Sequence, residues 1–126
     1  MKKYNLSMNR RFRVLFVCAL NQWRSPTAET LYRNDPRLEV RSAGVRTHAK
    51  RHISAADLKW ADAIFVMDRE QRRIIQERFQ DLPLPSIQVL DIPDNLTYMD
   101  GELQRLLKAA LDPEINALLA LSPPDA

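Results

Sequence analysis

The chain has 126 residues, of which 45% are hydrophobic and 28% are charged. This length predicts one domain that buries its core without disulfides or metals, and the composition excludes a disordered or fibrous chain. The formal net charge of +3 is too small an excess to indicate a nucleic-acid-binding protein. No apolar run approaches the roughly 20 residues of a membrane span. Neither nucleic acid nor a membrane is therefore an expected partner.

The N-terminal segment is basic and imitates a signal peptide, since Lys and Arg residues precede the apolar run Val14 to Leu20. That run is short and continues into Asn-Gln-Trp-Arg instead of a small-residue cleavage site. We expect residues 1–12 to be a disordered or extended basic tail, 13–121 a single domain, and 122–126 a C-terminal tail. The lone cysteine, Cys18, excludes an internal disulfide and a multi-cysteine zinc site, which favours a cytoplasmic location.

The predicted elements alternate between strands and helices. The strands are an apolar one that begins at Val14, then Leu38 to Ala43, Ala61 to Met67, and Ile87 to Leu90. The helices are Thr27 to Asn34, Ser54 to Trp60, Asp68 to Phe79, and Asp100 to Leu121, the last of which Pro113 could interrupt. The connections between them include loops from Val45 to Ile53 and from Asp91 to Met99. This alternation predicts a parallel sheet that is covered by helices on both faces and binds ligands at the carboxyl ends of its strands.

The loop after the first strand has the features of an anion site. Such a loop directs backbone N–H groups toward one point, and the dipole of the following helix adds partial positive charge there. We expect the helix to begin near Ser25 or Pro26, with the Ser25 hydroxyl as its cap. Arg24 can hold two oxygens of a phosphate dianion, and the same charge stabilises a thiolate on Cys18. The alternative is that Cys18 packs in the core and Arg24 is solvated.

The segment Cys18 to Pro26, Cys-Ala-Leu-Asn-Gln-Trp-Arg-Ser-Pro, resembles the phosphate-binding loop of the low-molecular-weight protein tyrosine phosphatases, whose pattern is Cys-x-Gly-Asn-x-Cys-Arg-Ser. Further along, Arg41 to Gly44 resembles the end of that family's second strand, and Asp62 to Asp68 is similar to its third. Ile92 to Asp94 resembles the start of the family's Asp-Pro-Tyr loop. The resemblance covers roughly Arg13 to Met99.

This resemblance implies a three-layer α/β sandwich with a four-stranded parallel sheet, of the flavodoxin-like or Rossmann-like type. It also implies a phosphomonoester hydrolase, specifically a protein tyrosine phosphatase, that acts through a cysteinyl-phosphate and needs no cofactor and no metal. Cys18 would be the nucleophile, Arg24 would stabilise the phosphoryl oxygens, and Asp94 would be the general acid and then the general base. The substrate would be a phosphorylated protein or a small phosphomonoester. The implied phosphate-binding residues are Ala19, Leu20, Asn21, Gln22, Trp23, Arg24 and Ser25.

Some assignments stay open, because sequence alone does not separate Asp94 from Asp91, and either could be a turn residue beside Pro93. Leu20 replaces the family's Gly, so its backbone must suit a side chain, whereas Asn21 can adopt a left-handed conformation. Trp23 replaces the second cysteine. The pair after the expected acid is Asn-Leu instead of Pro-Tyr. An aromatic wall beside the leaving group would then have to come from Trp23 or Tyr98, the alternative for Trp23 being that it packs inward.

Three rival interpretations were weighed. One is a phosphate- or phosphoprotein-binding module with little or no turnover, and another is an arsenate reductase, which needs further cysteines or an external thiol. A nucleotide or flavin domain is excluded, because Gly44 and Gly101 are the only glycines and form neither a Gly-rich turn nor a Walker loop. His48 and His52 have the spacing of metal ligands on a helix, but no third ligand is near them. We expect both to be solvated loop residues.

Overall fold

The chain folds around a four-stranded parallel sheet in a computed structural model that describes residues 10–121. The strands are β1 (Phe12–Cys18), β2 (Leu38–Gly44), β3 (Ala63–Val66) and β4 (Ile87–Val89). The helices are α1 (Arg24–Tyr32), α2 (Ala55–Trp60), α3 (Arg69–Arg78) and α4 (Gly101–Ala120). The predicted elements are confirmed, with ends that differ by a few residues. Within this part of the chain, no helix has the length and apolar character that a bilayer span requires.

The order of the strands places Cys18 at the ligand-binding edge of the sheet. The order is β2-β1-β3-β4, so the chain moves from β1 to one side and then crosses to the other side for β3 and β4. Ligands of open parallel sheets bind at the carboxyl ends of the strands, where the order reverses in this way. Cys18 is the last residue of β1, and its neighbour in the register is Gly44, the last residue of β2.

The sheet buries both of its faces, which explains the continuous apolar run in β1. Side chains alternate between the faces of a strand. Accordingly, Phe12, Val14 and Phe16 pack in one core cluster with α1 and α4, whereas Leu15 and Val17 pack in a second cluster with α2 and α3. The chain therefore forms the three-layer α/β sandwich that was expected.

Helix α4 is continuous, so the interruption considered at Pro113 does not occur. Pro113 lies on the exposed face of the helix. Proline has no backbone N–H, so one carbonyl in the preceding turn has no hydrogen-bond partner within the helix. On this exposed face, water can donate a hydrogen bond to that carbonyl. The opposite face is buried at regular spacing and holds the helix on the sheet through Leu103, Leu107, Leu111 and Ile115.

The expected N-terminal tail is only partly described. Residues 1–9 and 122–126 lie outside the described residues. Of the remaining tail residues, Phe12 is buried in β1, and the guanidinium of Arg10 lies 2.8 Å from the carboxylate of Asp62. These residues pack on the sheet, and the division of the chain into tails and a domain stays a prediction.

Candidate active site

The segment between β1 and α1 forms a tight loop, and its conformation accommodates the substitution of leucine for glycine. The non-glycine residues with positive φ in the described chain are Asn21 (φ 56°), Asp91 (φ 58°) and Met99 (φ 62°). Asn21 thus adopts the expected left-handed conformation, which asparagine tolerates better than most residues. Leu20 lies outside that region, so its side chain causes no backbone strain.

Hydrogen bonds to the segment after β2 orient the peptide groups of this loop. Three consecutive carbonyls accept bonds of 3.0 to 3.1 Å from backbone amides, namely Cys18 from Val45, Ala19 from Arg46, and Leu20 from Lys50. By contrast, the amides of residues 19–23 donate no hydrogen bond to any other residue in 10–121. A loop with its carbonyls tied back and its amides unpaired, leading into a helix N-terminus, is suited to an anion.

Gly44 is the residue that lets the two loops approach each other. A Cβ atom at this position would lie 2.7 Å from the carbonyl oxygen of Ala19 and 2.9 Å from the amide nitrogen of Asn21. It would also lie 2.7 Å from the Cβ of Ala49. Any side chain at position 44 would therefore push the loop after β1 away from the segment that orients it. This steric requirement explains why the motif Arg41 to Gly44 ends in glycine.

The thiol of Cys18 belongs to a buried network of hydrogen bonds. Its side chain is 3% exposed, and its Sγ lies 3.0 Å from the Oγ of Ser25. The amide of Asn21 donates to Ser25 at 3.0 Å and to Ser42 at 2.9 Å, and the hydroxyl of Ser42 donates to the carboxylate of Glu29. The Ser25 hydroxyl also donates to the carbonyl of Ala43 at 3.3 Å, and in its contact with Cys18 either the thiol or the hydroxyl can be the donor. The network therefore holds the sulfur in a fixed position at the base of the loop.

The prediction that Ser25 caps α1 is wrong. The N-cap residue is Trp23, whose side chain makes no capping hydrogen bond, and Ser25 lies inside the first turn. A capping side chain would compete for the same amides that an anion binds. Ser25 contacts the sulfur instead and leaves those amides unoccupied.

The guanidinium of Arg24 is buried beside this thiol, with only 2% of the residue exposed. Its Nη1 donates to Asp68 at 3.2 Å and to the carbonyl of Ile92 at 2.9 Å, and its Nη2 lies 3.3 Å from the carboxylate of Asp94. The Nε is buried and has no hydrogen-bond partner among the described residues. A buried donor without a partner costs about 1 to 3 kcal/mol, which an anionic acceptor would recover. The alternative that Arg24 is solvated is therefore wrong, although Cys18 does pack in the core.

Asp68 is a site residue that the sequence analysis treated only as the start of a helix. Its carboxylate accepts hydrogen bonds from Arg24 at 3.2 Å and from the side chain of Gln71 at 3.1 Å. Gln71 also accepts bonds from the amides of Met67 and Asp68, which completes a capping box at the start of α3. An Asp and a Gln three residues apart, directly after a buried strand, are the signal that could have placed this carboxylate at the same edge of the sheet.

These residues surround a cavity of about 80 Å³ above the end of β1. Its lining consists of Cys18, Ala19, Leu20, Gln22, Trp23, Arg24 and Asp94. Asp94 is 68% exposed and lies at the mouth of this cavity. Asp91 is exposed and does not contribute to the lining. Of the two candidate acids, Asp94 is thus the one beside the thiol. Trp23 also lies at this cavity, whereas Tyr98 does not.

An ion-pair cluster braces the segment that orients the loop after β1. The carboxylate of Asp57 is buried, and the guanidinium groups of Arg51 and Arg41 lie 2.6 Å and 3.2 Å from it. Burial alone would raise the pKa of this carboxyl, but the hydrogen bond and charge of Arg51 and the bonds from Ser54 outweigh it, so the pKa is lowered. Arg51 also donates to the carbonyl of Ser42 at 2.8 Å. The cluster therefore ties α2 to the end of β2.

The two histidines lie away from this cavity. His48 and His52 are exposed, and Nε2 of His52 is 3.3 Å from a guanidinium nitrogen of Arg78. Across residues 10–121, no group of three or more His, Cys, Asp or Glu side chains is arranged to hold a metal ion.

Fold and site together define an α/β protein with a loop suited to an anion at the switch point of its sheet. No family model and no curated protein matches the chain. Among solved structures, YfkJ from Bacillus subtilis matches with a TM-score of 0.73 at 19% identity, over 93% of this chain and 100% of the other. A low-molecular-weight protein tyrosine phosphatase from Streptococcus pyogenes, SP-PTP, has a TM-score of 0.73 at 19% identity, over 85% and 93% of the two chains.

A third match is the YwlE arginine phosphatase from Geobacillus stearothermophilus, with a TM-score of 0.63 at 26% identity, over 85% of this chain and 96% of the other. The chain therefore has the fold of the low-molecular-weight protein tyrosine phosphatases. The resemblance based on the loop and strand motifs is thus confirmed for the fold.

Proposed function

We propose that the protein is a phosphomonoester hydrolase of the protein tyrosine phosphatase type that works through a cysteinyl-phosphate. The observation that carries the proposal is the buried guanidinium of Arg24, whose unpaired Nε belongs to a residue lining the cavity of Cys18. A dianionic phosphoryl group supplies the acceptor that this donor lacks, and the unpaired loop amides can bind its other oxygens. A site with these features stabilises charge on phosphoryl oxygens in the transition state.

The first chemical step forms the intermediate. The thiolate of Cys18 attacks phosphorus in line, and the bond between phosphorus and the ester oxygen breaks. Asp94, at the mouth of the cavity, donates a proton to that departing oxygen. Arg24 and the amides of the loop hold the equatorial oxygens while charge redistributes over them.

The second step releases phosphate. Asp94, now a carboxylate, takes a proton from water as the water oxygen attacks phosphorus, and the bond between sulfur and phosphorus breaks. The electron pair of that bond returns to Cys18 as a thiolate, which the hydroxyl of Ser25 stabilises from 3.0 Å. Inorganic phosphate then leaves. No cofactor takes part in this scheme.

The proposed substrates are phosphorylated side chains of proteins. A cavity of about 80 Å³ has room for a phosphoryl group and little more. Among the similar structures, one is named a tyrosine phosphatase and another an arginine phosphatase. Phosphotyrosine, a phosphomonoester, is the side chain proposed here, and phosphoarginine, in which a P–N bond would break and Asp94 would protonate nitrogen, is the one to compare with it. A reactive thiol without a partner cysteine also favours a reducing compartment, and the proposal places the protein in the cytoplasm.

Hydrolysis of p-nitrophenyl phosphate by the wild type and by Cys18→Ser tests this function. We expect turnover by the wild type, loss of turnover in the variant, and binding of inorganic phosphate by both. Equal turnover by the two proteins would remove Cys18 from the mechanism. Phosphate binding without turnover by either would establish the binding module in place of the enzyme. Phosphotyrosyl and phosphoarginyl peptides of matched sequence then rank the two side chains by kcat/KM.

A further inference from the structure

A second and larger depression adjoins the cavity of Cys18 and runs along the exposed side of α1. It has a volume of about 500 Å³, against about 80 Å³ for the cavity. Gln22 and Trp23 line both spaces, so the two adjoin at these residues. We call this depression the α1 groove. The residues that line the groove include Trp23, Pro26, Glu29, Lys50 and Tyr98.

The α1 groove contains the two aromatic side chains classed as exposed in residues 10–121. The large hydrophobic side chains that are exposed there are Trp23 at 37%, Tyr98 at 47%, and Leu121 at the end of the described chain. The first two line the groove. Exposed aromatic side chains are enriched at sites that bind other polypeptides, because they bury a large area at little entropic cost.

The walls of the groove are fixed before any ligand binds. The hydroxyl of Tyr98 is 2.8 Å from that of Thr30, and the amide of Met99 donates to Thr27 at 2.9 Å. Thr27 in turn donates to the carbonyl of Trp23 at 2.6 Å. The side chain of Tyr98 and the backbone of Trp23 are thus both hydrogen-bonded to α1. A preformed surface of this kind loses little conformational entropy on binding.

The charges in the groove indicate the chemistry of its ligand. The carboxylate of Glu29 accepts the hydrogen bond of Ser42, within the network behind the thiol. Lys50 is exposed, and within the described residues its ammonium makes no ion pair or hydrogen bond. An acidic side chain is the natural partner of this free cation, and an apolar side chain is the natural partner of the aromatic walls.

We propose that the α1 groove binds the residues that flank the phosphorylated side chain in a protein substrate, with an acidic residue at Lys50 and an apolar residue against Tyr98. This proposal rests on the proposed phosphatase function. The small cavity holds the phosphoryl group, so the peptide backbone of the substrate must lie at the rim, where the groove begins. A small phosphomonoester leaves the groove empty.

Binding measurements in the Cys18→Ser background, where no peptide is consumed, test the groove directly. One labelled phosphotyrosyl peptide has glutamate and leucine on both sides of the phosphotyrosine, and a matched peptide has lysine in place of glutamate. Fluorescence polarisation gives the Kd of each. Competition of inorganic phosphate with the labelled peptide gives the affinity of the cavity alone for phosphate. We expect the glutamate peptide to bind about fivefold tighter than the matched lysine peptide, as one solvent-exposed ion pair allows.

Substitutions in the groove should change peptide binding by a larger factor than phosphate binding. Lys50→Glu should abolish or reverse the preference for glutamate, whereas Lys59→Glu, the same change on the exposed surface of α2, should preserve it. Tyr98→Ala should weaken both peptides about fivefold, and Tyr98→Phe, which keeps the ring, should weaken them less.

Three results would refute the proposal that the groove binds the peptide. One is unchanged peptide Kd values in Lys50→Glu and Tyr98→Ala, and another is an equal loss of phosphate and peptide binding, which would mean that these residues act on the cavity and not on a separate surface. Peptides that bind no tighter than phosphate itself would also refute it. The underlying function is judged separately, since absence of phosphate binding by the Cys18→Ser parent would refute the proposed phosphatase site.

Discussion

The substitution Arg24→Lys separates the shape of the guanidinium from its charge. Lysine keeps the positive charge, but its single nitrogen cannot contact Asp68, Asp94 and the carbonyl of Ile92 from one position, as the guanidinium does. It also lacks the Nε donor that is unpaired in this site. Loss of one donor to a developing charge costs about 3 kcal/mol, and about 1.4 kcal/mol corresponds to a tenfold change in rate. We expect kcat to fall by about 10² to 10³.

The assay compares kcat for p-nitrophenyl phosphate with the inhibition constant of inorganic phosphate. Both should deteriorate in Arg24→Lys, because the ground-state anion uses the same donor. Arg73→Lys is the matched control, since Arg73 is exposed on α3 and pairs only with surface carboxylates. It should stay within about twofold of the wild type. If Arg24→Lys keeps the kcat and the phosphate inhibition of the wild type, the guanidinium serves only to brace Asp68, and the proposed transition-state role is refuted.

Three further substitutions test other parts of the site. Asp94→Asn should slow esters with poor leaving groups by about 10² to 10⁴ in kcat and Asp91→Asn should not, and the opposite result would reassign the acid. Gly44→Ala should lower the free energy of unfolding in urea by about 1 to 3 kcal/mol and weaken phosphate binding. Gly101→Ala is the control, because no atom lies within 4 Å of the added Cβ, and it should change neither quantity. Asp57→Asn should cost about 3 kcal/mol at pH 7. Because the folded-state pKa of Asp57 is lowered, its contribution is complete above the unfolded pKa near ~3.9 and is lost as the pH falls through the folded value, so the two proteins should converge in acid.

The fold could be predicted because its main signals are local. The apolar run of β1 has no polar face, which requires a strand that is covered on both sides, and the structure divides its side chains between two clusters. The capping box at Ser54 and Asp57 likewise lies within one turn and begins α2 as expected. The ends of elements were less certain, since α1 begins at Arg24, where the predicted helix began at Thr27.

The contacts that make the site were harder to predict because they join distant parts of the chain. The partner of Arg24 is 44 residues away at Asp68, and a further 24 residues separate that carboxylate from the carbonyl of Ile92. Nothing near either residue in the sequence specifies which carboxylate meets which guanidinium. The role of Ser25 was misjudged for a different reason. Its local preference is to cap a helix, but the buried sulfur of Cys18 offers its hydroxyl a tertiary partner.

The departures of this loop from the family pattern are compatible with its geometry. Left-handed backbone is needed at Asn21, which the chain retains, and is not needed at Leu20. The strict steric requirement for glycine lies outside the loop, at Gly44, where a Cβ would meet the backbone of Ala19 and Asn21. A pattern that demands glycine at position 20 therefore demands more than this loop's backbone requires. The proposed phosphate binding should consequently depend on the identity of residues 21 and 44 more than on that of residue 20.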